Sequence, residues 1–253
     1  ARKEIFLYIY FLGLILLCKP KSNNEKYINK YVFFITPVIC LIYEEVALFF
    51  PFVVACIVFQ KQIRTFTSFL RTCLLFVPSL IIVLFFLLFP MTDENHEIMS
   101  QSLLVNFNEI CYMSCGLLIV NDIMEFGTIW EFIYGRATTE VIITWIVRYF
   151  IIFLIGFFPL FILSNYSKIK NKNIFSYFKL SNILLLMFFL YLPIIPLFVI
   201  GGDWGRWIGM LISFSTLFYF FLYKYDHIEV DFQTLSGKLS FLRNKKKFVT
   251  VLF

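Results

Sequence analysis

The residues best suited to chemistry lie in a short segment late in the chain, Gly201 to Trp207. Asp203 and Arg206 are three residues apart in it, close enough to pair on one turn of a helix. An arginine can hold a phosphate or pyrophosphate by bidentate hydrogen bonds, and an aspartate can orient it or accept a proton. Trp204 and Trp207 flank the pair and could stack on sugar faces, which makes both candidates for substrate binding. The alternative is a tight interfacial turn, in which the tryptophans anchor the chain and the Asp–Arg pair only neutralises itself.

Tyr43, Glu44 and Glu45 form a second polar segment, inside a long apolar run. Adjacent carboxylates point to different sides of a helix, so only one of them can face a given partner. A carboxylate held away from water has a raised pKa and can take a proton from a sugar hydroxyl. Glu44 and Glu45 are therefore candidate catalytic residues and Tyr43 is a candidate substrate-binding residue; the alternative is a solvated turn. Arg148, two turns into another apolar run, is either a second phosphate ligand or a side chain that snorkels to lipid headgroups.

Other polar clusters do not match a known type of site. Asp93, Glu94, His96 and Glu97 are residue types that bind metals, but their spacing is not that of a metal site, so we predict a solvated acidic loop and no metal; a metal-assisted transferase is the alternative. His227 lies among acidic residues and is predicted to be a surface side chain. The sequence contains no Walker phosphate loop, Rossmann fingerprint, His-Glu-x-x-His or Gly-x-Ser-x-Gly motif. We expect no cofactor, and neither nucleotide-driven transport nor serine hydrolysis has support.

These residues are embedded in a very apolar chain. Of the 253 residues, 60% are hydrophobic and 21% aromatic, with 35 Phe, and only 15% are charged. A soluble domain needs about a quarter charged residues, so a soluble protein, a disordered chain and a disulfide-rich secreted module are excluded. The net charge of +6 lies in short clusters at the ends of apolar runs, which argues against nucleic-acid binding. The sequence predicts an all-α, polytopic transmembrane helix bundle.

We predict one integral membrane domain over 1–253, because no repeat or linker divides the chain. The first apolar run is short and the last residues are apolar again, so we expect a piece of a longer protein. Apolar runs set the predicted spans, which are 5–18, 32–43, 46–59, 72–89, 141–163, 180–200 and 207–223.

Charge on the connections predicts the orientation, since Lys and Arg are retained on the cytoplasmic side. Residues 19–30 carry four Lys against one Glu, and residues 164–179 carry four Lys and no acid. Residues 91–140 carry eight acids against Arg136 alone. We therefore predict that 91–140 is a long external loop with helices on the membrane surface, and that the tail 224–253 is cytoplasmic.

The run from Val32 to Phe59 has basic residues beyond both ends, so both ends are expected on the cytoplasmic side. A straight helix over this run would be about 42 Å long, against a hydrocarbon core of about 30 Å. We predict a re-entrant or short-helix hairpin that turns at Glu44 and Glu45, with Pro37 and Pro51 inside its halves. A single tilted helix is the alternative.

Two motifs carry a resemblance to a known family. Gly202-Asp203-Trp204-Gly205-Arg206-Trp207-Ile208, which opens a span after a Pro-rich helix, resembles the Wzy-type polymerases of O-antigen and capsule repeat units and related membrane proteins of bacterial polysaccharide loci. Ile42-Tyr43-Glu44-Glu45-Val46, followed by Phe49-Phe50-Pro51, is similar to a second patch of that group, where a His-Glu pair precedes a Phe-rich stretch. Here Tyr43 or Glu44 stands in place of the histidine.

The resemblance implies a membrane glycosyl-transfer enzyme that polymerises oligosaccharide repeats carried on undecaprenyl pyrophosphate, at the outer face of a bacterial inner membrane. Arg206 would neutralise charge on the departing pyrophosphate, and Asp203, Glu44 or Glu45 would deprotonate the acceptor hydroxyl. The partners implied are the polyprenyl-linked glycan, membrane lipid and other polysaccharide-assembly membrane proteins. The competing hypothesis is a transporter or flippase of lipid-linked glycans, and the third is a non-catalytic membrane subunit.

Overall fold

The computed structural model describes residues 3–19, 24–89, 92–110, 139–170, 182–200 and 204–234, and these are mostly helical. The helices are α1 (Glu4–Leu17), α2 (Glu25–Ile42), α3 (Phe50–Lys61), α4 (Phe66–Leu74), α5 (Val77–Leu88), α6 (Asp93–Phe107), α7 (Thr139–Asn165), α8 (Ile183–Tyr191), α9 (Ile195–Ile200) and α10 (Trp204–Lys224). Short 3-10 helices cover Glu44–Phe49 and Leu192–Ile194. Two strands, β1 (Ser167–Ile169) and β2 (Ile228–Val230), form one antiparallel pair.

Two of the helices, α7 and α10, are long and apolar enough to cross a membrane. Helices α4 and α5 together make a third candidate, bent by 50° at the break between them. Helix α1 and the segment 183–198 are apolar but shorter. The described chain is thus helical and has the elements of a membrane protein.

Two breaks in the apolar runs lie at prolines, whereas Pro37 and Pro159 lie inside the continuous helices α2 and α7. The predicted span 72–89 is divided between α4 and α5, and Pro78 lies in the first turn of α5. The predicted span 180–200 is interrupted by a 3-10 turn that contains Pro193. Proline fixes φ and has no N–H, so it suits the start of a helix and interrupts a continuous one. Pro51 also lies in the first turn of α3, not inside the helix as predicted.

Helices α2 and α3 form a hairpin whose two outer ends meet. Lys61, the last residue of α3, lies with its Nζ 2.9 Å from Oε1 of Glu25, the first residue of α2. The same Nζ donates a hydrogen bond of 2.8 Å to Oδ1 of Asn29. The 3-10 helix Glu44–Phe49 joins the other ends, so the chain runs out along α2 and returns along α3.

Phenylalanines pack α10 against this hairpin and α1. The ring of Phe214 lies 4.6 Å from that of Phe11, 4.9 Å from Phe49 and 5.6 Å from Phe52, between ring centroids. All four side chains are fully buried, and the tilted and edge-on geometry is the one that aromatic pairs favour. These contacts fix the rotation of α10 and bring its first turn to the end of the bundle where α1 begins and α2 ends.

The strand pair lies at the opposite end, and the prediction of an all-α chain did not include it. Strand β1 follows α7 and β2 follows α10, and Ser167 pairs with Val230. His227, predicted to be a surface residue, is partly buried, with its ring 5.6 Å from that of Phe59 and 5.4 Å from that of Phe221. Burial lowers the pKa of this imidazole below its ordinary value, and the nearby carboxylate of Asp226 opposes the shift in part.

Candidate functional site

Arg206 forms an ion pair with a residue from the other end of the chain. Its Nε lies 2.7 Å from Oε1 of Glu4. Glu4 is the first residue of α1, where the helix dipole favours a carboxylate. The Glu4 side chain is only 10% exposed and its Oε2 has no hydrogen-bond partner in the described part of the chain, whereas the Arg206 side chain is 45% exposed. A buried carboxylate therefore holds an arginine that solvent and ligands can still reach.

Glu45 receives two hydrogen bonds on one oxygen. The hydroxyl of Tyr43 and Nε1 of Trp207, the latter at 3.2 Å, both donate to its Oε2. Tyr43 and Trp207 are each 4% exposed, whereas Glu45 is half-buried. Within the described residues nothing donates to Oε1 of Glu45, so this oxygen is the one suited to accept a proton from a ligand.

Local backbone geometry explains how Glu45 reaches this position. Tyr43 ends α2 in an extended conformation, with φ −154° and ψ 97°, and a tight 3-10 helix begins at the next residue. The turn leaves Tyr43 beside Glu45, two residues on, and points both toward the first turn of α10. Trp207 reaches them because the phenylalanine packing has already fixed the rotation of α10.

Together Glu4, Tyr43, Glu45, Arg206 and Trp207 form what we call the Arg206 cluster. The guanidinium of Arg206 also interacts with the hydroxyl of Tyr43, which links the two halves of the cluster. Two carboxylates and one guanidinium share a largely buried site at one end of the bundle. Such a site can bind an anion on the arginine and accept a proton on Glu45.

Trp204 and Arg148 differ in their relation to this cluster. Trp204 packs against Tyr149, at 5.8 Å between ring centroids, and against Phe198, at 6.3 Å. Phe198 in turn contacts Trp207, at 5.7 Å, so Trp204 borders the cluster through one intervening ring. Arg148 is exposed on α7 and makes no hydrogen bond or ion pair with the cluster in the described part of the chain.

Of the predicted site residues, the structure brings Tyr43, Glu45, Arg206 and Trp207 together. Asp203 and the side chain of Glu44 lie outside the described residues, so the predicted pairing of Asp203 with Arg206 stays a prediction. Glu4 was not among the predicted site residues. The signal for it was a carboxylate in the first turn of an apolar helix, at a depth where a charge needs a partner.

An apolar cavity of about 460 Å³ lies close to the cluster, between α3, the α4–α5 pair and α8. Its wall includes Ala47 and Phe50, which follow Glu45 in the chain, and Pro193. Its other walls are also apolar, among them Phe69, Phe76 and Leu190. A cavity of this size and lining suits a hydrocarbon chain.

Within the described residues, no group of three or more His, Cys, Asp or Glu side chains could hold a metal ion. The chain was compared with protein-family models, curated proteins and solved structures, and none gives a significant match.

Proposed function

We propose that this chain is a membrane glycosyl-transfer enzyme that polymerises oligosaccharide repeats carried on undecaprenyl pyrophosphate. The observation that carries the proposal is the convergence of an accessible arginine and a half-buried carboxylate beside an apolar cavity. A lipid-linked glycan has one group for each of these features: its pyrophosphate for the arginine, a sugar hydroxyl for the carboxylate and its polyprenyl chain for the apolar cavity. The proposal places the α2–α3 hairpin in the bacterial inner membrane and the Arg206 cluster at its outer face.

In this mechanism a hydroxyl of one lipid-linked repeat attacks the anomeric carbon of another. The new glycosidic C–O bond forms as the C–O bond to pyrophosphate breaks, and undecaprenyl pyrophosphate leaves. Arg206 neutralises the charge that builds on the pyrophosphate, a role that arginine fits through its planar set of donors. Oε1 of Glu45 takes the hydroxyl proton. Glu4 is a positioning residue, since it holds Arg206 without facing the reacting atoms.

Asp203 and Glu44 remain candidates for the same proton transfer. Trp204, Trp207, Tyr43 and Arg148 remain candidates for binding the glycan or its phosphates, and Trp207 also orients Glu45.

The test is the profile of lipid-linked glycans in a host that lacks this gene and is complemented with wild type or variants. Arg206→Lys keeps the charge but loses the planar set of donors. Glu45→Gln keeps an oxygen that can accept from Tyr43 and Trp207 but cannot take a proton. We expect each to lower polymerisation about 100-fold or more, with single repeats accumulating and protein abundance normal.

Gly209→Ala is the matched control, because Gly209 lies one turn beyond Arg206 on α10 and a Cβ there meets nothing within 4 Å. It should restore long chains as wild type does. An unchanged chain-length ladder in the host that lacks the gene would rule out polymerisation. Loss of the protein itself in Arg206→Lys would point to a structural role for the arginine.

A transporter of lipid-linked glycans is the second candidate, and the observation that favours it is a half-buried carboxylate in the break of a helical hairpin. A carrier driven by protons would stop when the proton gradient is collapsed, and Glu45→Gln would abolish that dependence. Polymerisation in membranes without a gradient would exclude this candidate.

A further inference from the structure

A second cavity, of about 480 Å³ and with a polar lining, lies at the opposite end of the bundle from the Arg206 cluster. It is enclosed by the start of α2, the end of α3 and one face of α4. Three of its lining residues are basic: Lys61, Arg64 and Arg71. The cavity shares no residue with the Arg206 cluster, so a ligand bound in it would be independent of the proposed function.

The turn between α3 and α4 builds this cavity. Gln62 ends α3 in the left-handed conformation, with φ 50°, and the N–H of Ile63 donates back to the carbonyl of Val58 at 3.1 Å. Thr65 then caps α4 by accepting a hydrogen bond from the N–H of Ser68. The sharp reversal turns the first residues of α4 back toward α2.

Ser68 and Arg71 lie on one face of α4, since residues three apart are neighbours on a helix, and Arg64 lies in the turn just before the capping residue Thr65. All three line the cavity. Arg64 and Arg71 are exposed, and Ser68 is partly buried between them. Two guanidinium groups and a hydroxyl group thus point to one space.

The charges in the cavity do not balance. Lys61 is occupied, because it pairs with Glu25 at 2.9 Å and donates to Asn29. In the described part of the chain neither Arg64 nor Arg71 has an acidic partner. One acid therefore faces three cations, and the excess positive charge lies on the two groups that bind phosphate oxygens best.

The face of α4 opposite the cavity is apolar and exposed. Phe66, Leu70 and Leu74, each four residues from the next, are 62%, 50% and 57% exposed. A helix with an arginine on its polar face and exposed apolar side chains on the opposite face has the pattern of helices at the boundary between lipid headgroups and acyl chains. Basic pockets between helices at that boundary bind anionic headgroups.

We infer that this cavity binds the phosphate headgroup of an anionic phospholipid, held by Arg64 and Arg71. A free phosphate anion has the same binding chemistry, so the experiment must separate the two sources.

The full chain is purified in a non-ionic detergent and its thermal unfolding is measured with added phosphatidylglycerol, phosphatidylcholine or inorganic phosphate. We expect saturating phosphatidylglycerol to raise the midpoint by about 5 °C or more and phosphatidylcholine to have little effect. The double variant Arg64→Gln/Arg71→Gln should lose this shift, with apparent affinity at least about tenfold weaker.

The matched control is Lys26→Gln/Lys30→Gln. This variant also removes two positive charges, from exposed positions on α2 near the same end of the bundle, and neither residue lines the cavity. It should keep the phosphatidylglycerol shift. An equal loss in both double variants would mean non-specific attraction and would overturn the inference, as would a full shift in Arg64→Gln/Arg71→Gln.

Inorganic phosphate that reproduces the shift, with the same dependence on the two arginines, would support a phosphate site and overturn its assignment to lipid. If the glutamine variant is not monodisperse, Arg64→Lys/Arg71→Lys replaces it. That variant keeps the charge but loses the bidentate donors, so we expect an intermediate shift. A wild-type shift in the lysine variant would contradict recognition by the guanidinium groups.

Discussion

The contact between α1 and α2 passes through Gly13, and this position gives the sharpest test of the packing. A Cβ on Gly13 would lie 2.5 Å from the hydroxyl oxygen of Tyr31 and 3.2 Å from its Cζ. Tyr31 cannot move without loss, because its hydroxyl donates to the carbonyl of Tyr10 at 3.1 Å and its ring stacks on that of Tyr10 at 5.5 Å. Gly13→Ala must therefore disturb both contacts.

The size of the effect combines three contributions. Loss of the hydrogen bond costs about 0.5–1.5 kcal/mol, and loss of the ring contact costs a similar amount, about 0.5–1.5 kcal/mol. Alanine in place of glycine inside a helix raises the free energy of unfolding by about 1 kcal/mol. Gly209→Ala gains the same helix contribution with open space around its Cβ. This contribution cancels between the two variants, so Gly13→Ala should be less stable than Gly209→Ala by about 1–3 kcal/mol in free energy of unfolding.

The assay is thermal unfolding of the purified full chain in detergent, where this difference corresponds to roughly 2–12 °C between the two midpoints. A double-mutant cycle with Tyr31→Phe isolates the contact, because that variant already lacks the hydroxyl nearest the new methyl. Gly13→Ala should then cost less in the Tyr31→Phe background than in wild type. Equal midpoints for the two glycine variants, or additive effects in the cycle, would refute the reasoning.

Three further outcomes are expected, each measured as the midpoint of thermal unfolding in detergent. Trp207→Phe removes one of the two donors to Glu45 and should lower the free energy of unfolding by about 1–2 kcal/mol. This is the value for a hydrogen bond to a charged group, reduced because Glu45 is partly exposed. An unchanged midpoint would mean that the bond contributes nothing. Gln62→Gly should raise stability by about 0.5–1 kcal/mol, because glycine adopts the left-handed conformation at φ 50° without strain, and a lower midpoint would contradict this. The lowered pKa of His227 means that the folded state disfavours its charged form. The contribution of His227 to folding stability is therefore present above its ordinary pKa of about 6.5 and is lost as pH falls through the lowered pKa of the folded state. His227→Phe should flatten this dependence, and an equally steep pH profile in the variant would exclude His227 as its source.

The turn at residues 43–45 shows what local sequence can predict. Two carboxylates in the middle of an apolar run cannot continue as buried helix, so the sequence predicts a break there. Tyr43 and Glu45 are two residues apart, and their hydrogen bond is local. The structure differs in the placement of Pro51, which lies in the first turn of α3. Proline signals a discontinuity, but whether it kinks a helix or begins one depends on the residues before it.

The sequence by itself determined the class of the protein, since composition and run length leave only membrane-compatible helices as a way to satisfy the backbone. It also indicated Arg206, Trp207 and Glu45, because polar groups beside hydrocarbon need partners. Which partners they have was decided by the tertiary structure. Glu4 meets Arg206 only because phenylalanine packing fixes how α1 and α10 are rotated against each other. No local pattern encodes the rotation of one helix against another, so contacts between distant segments depend on the packing of the whole core.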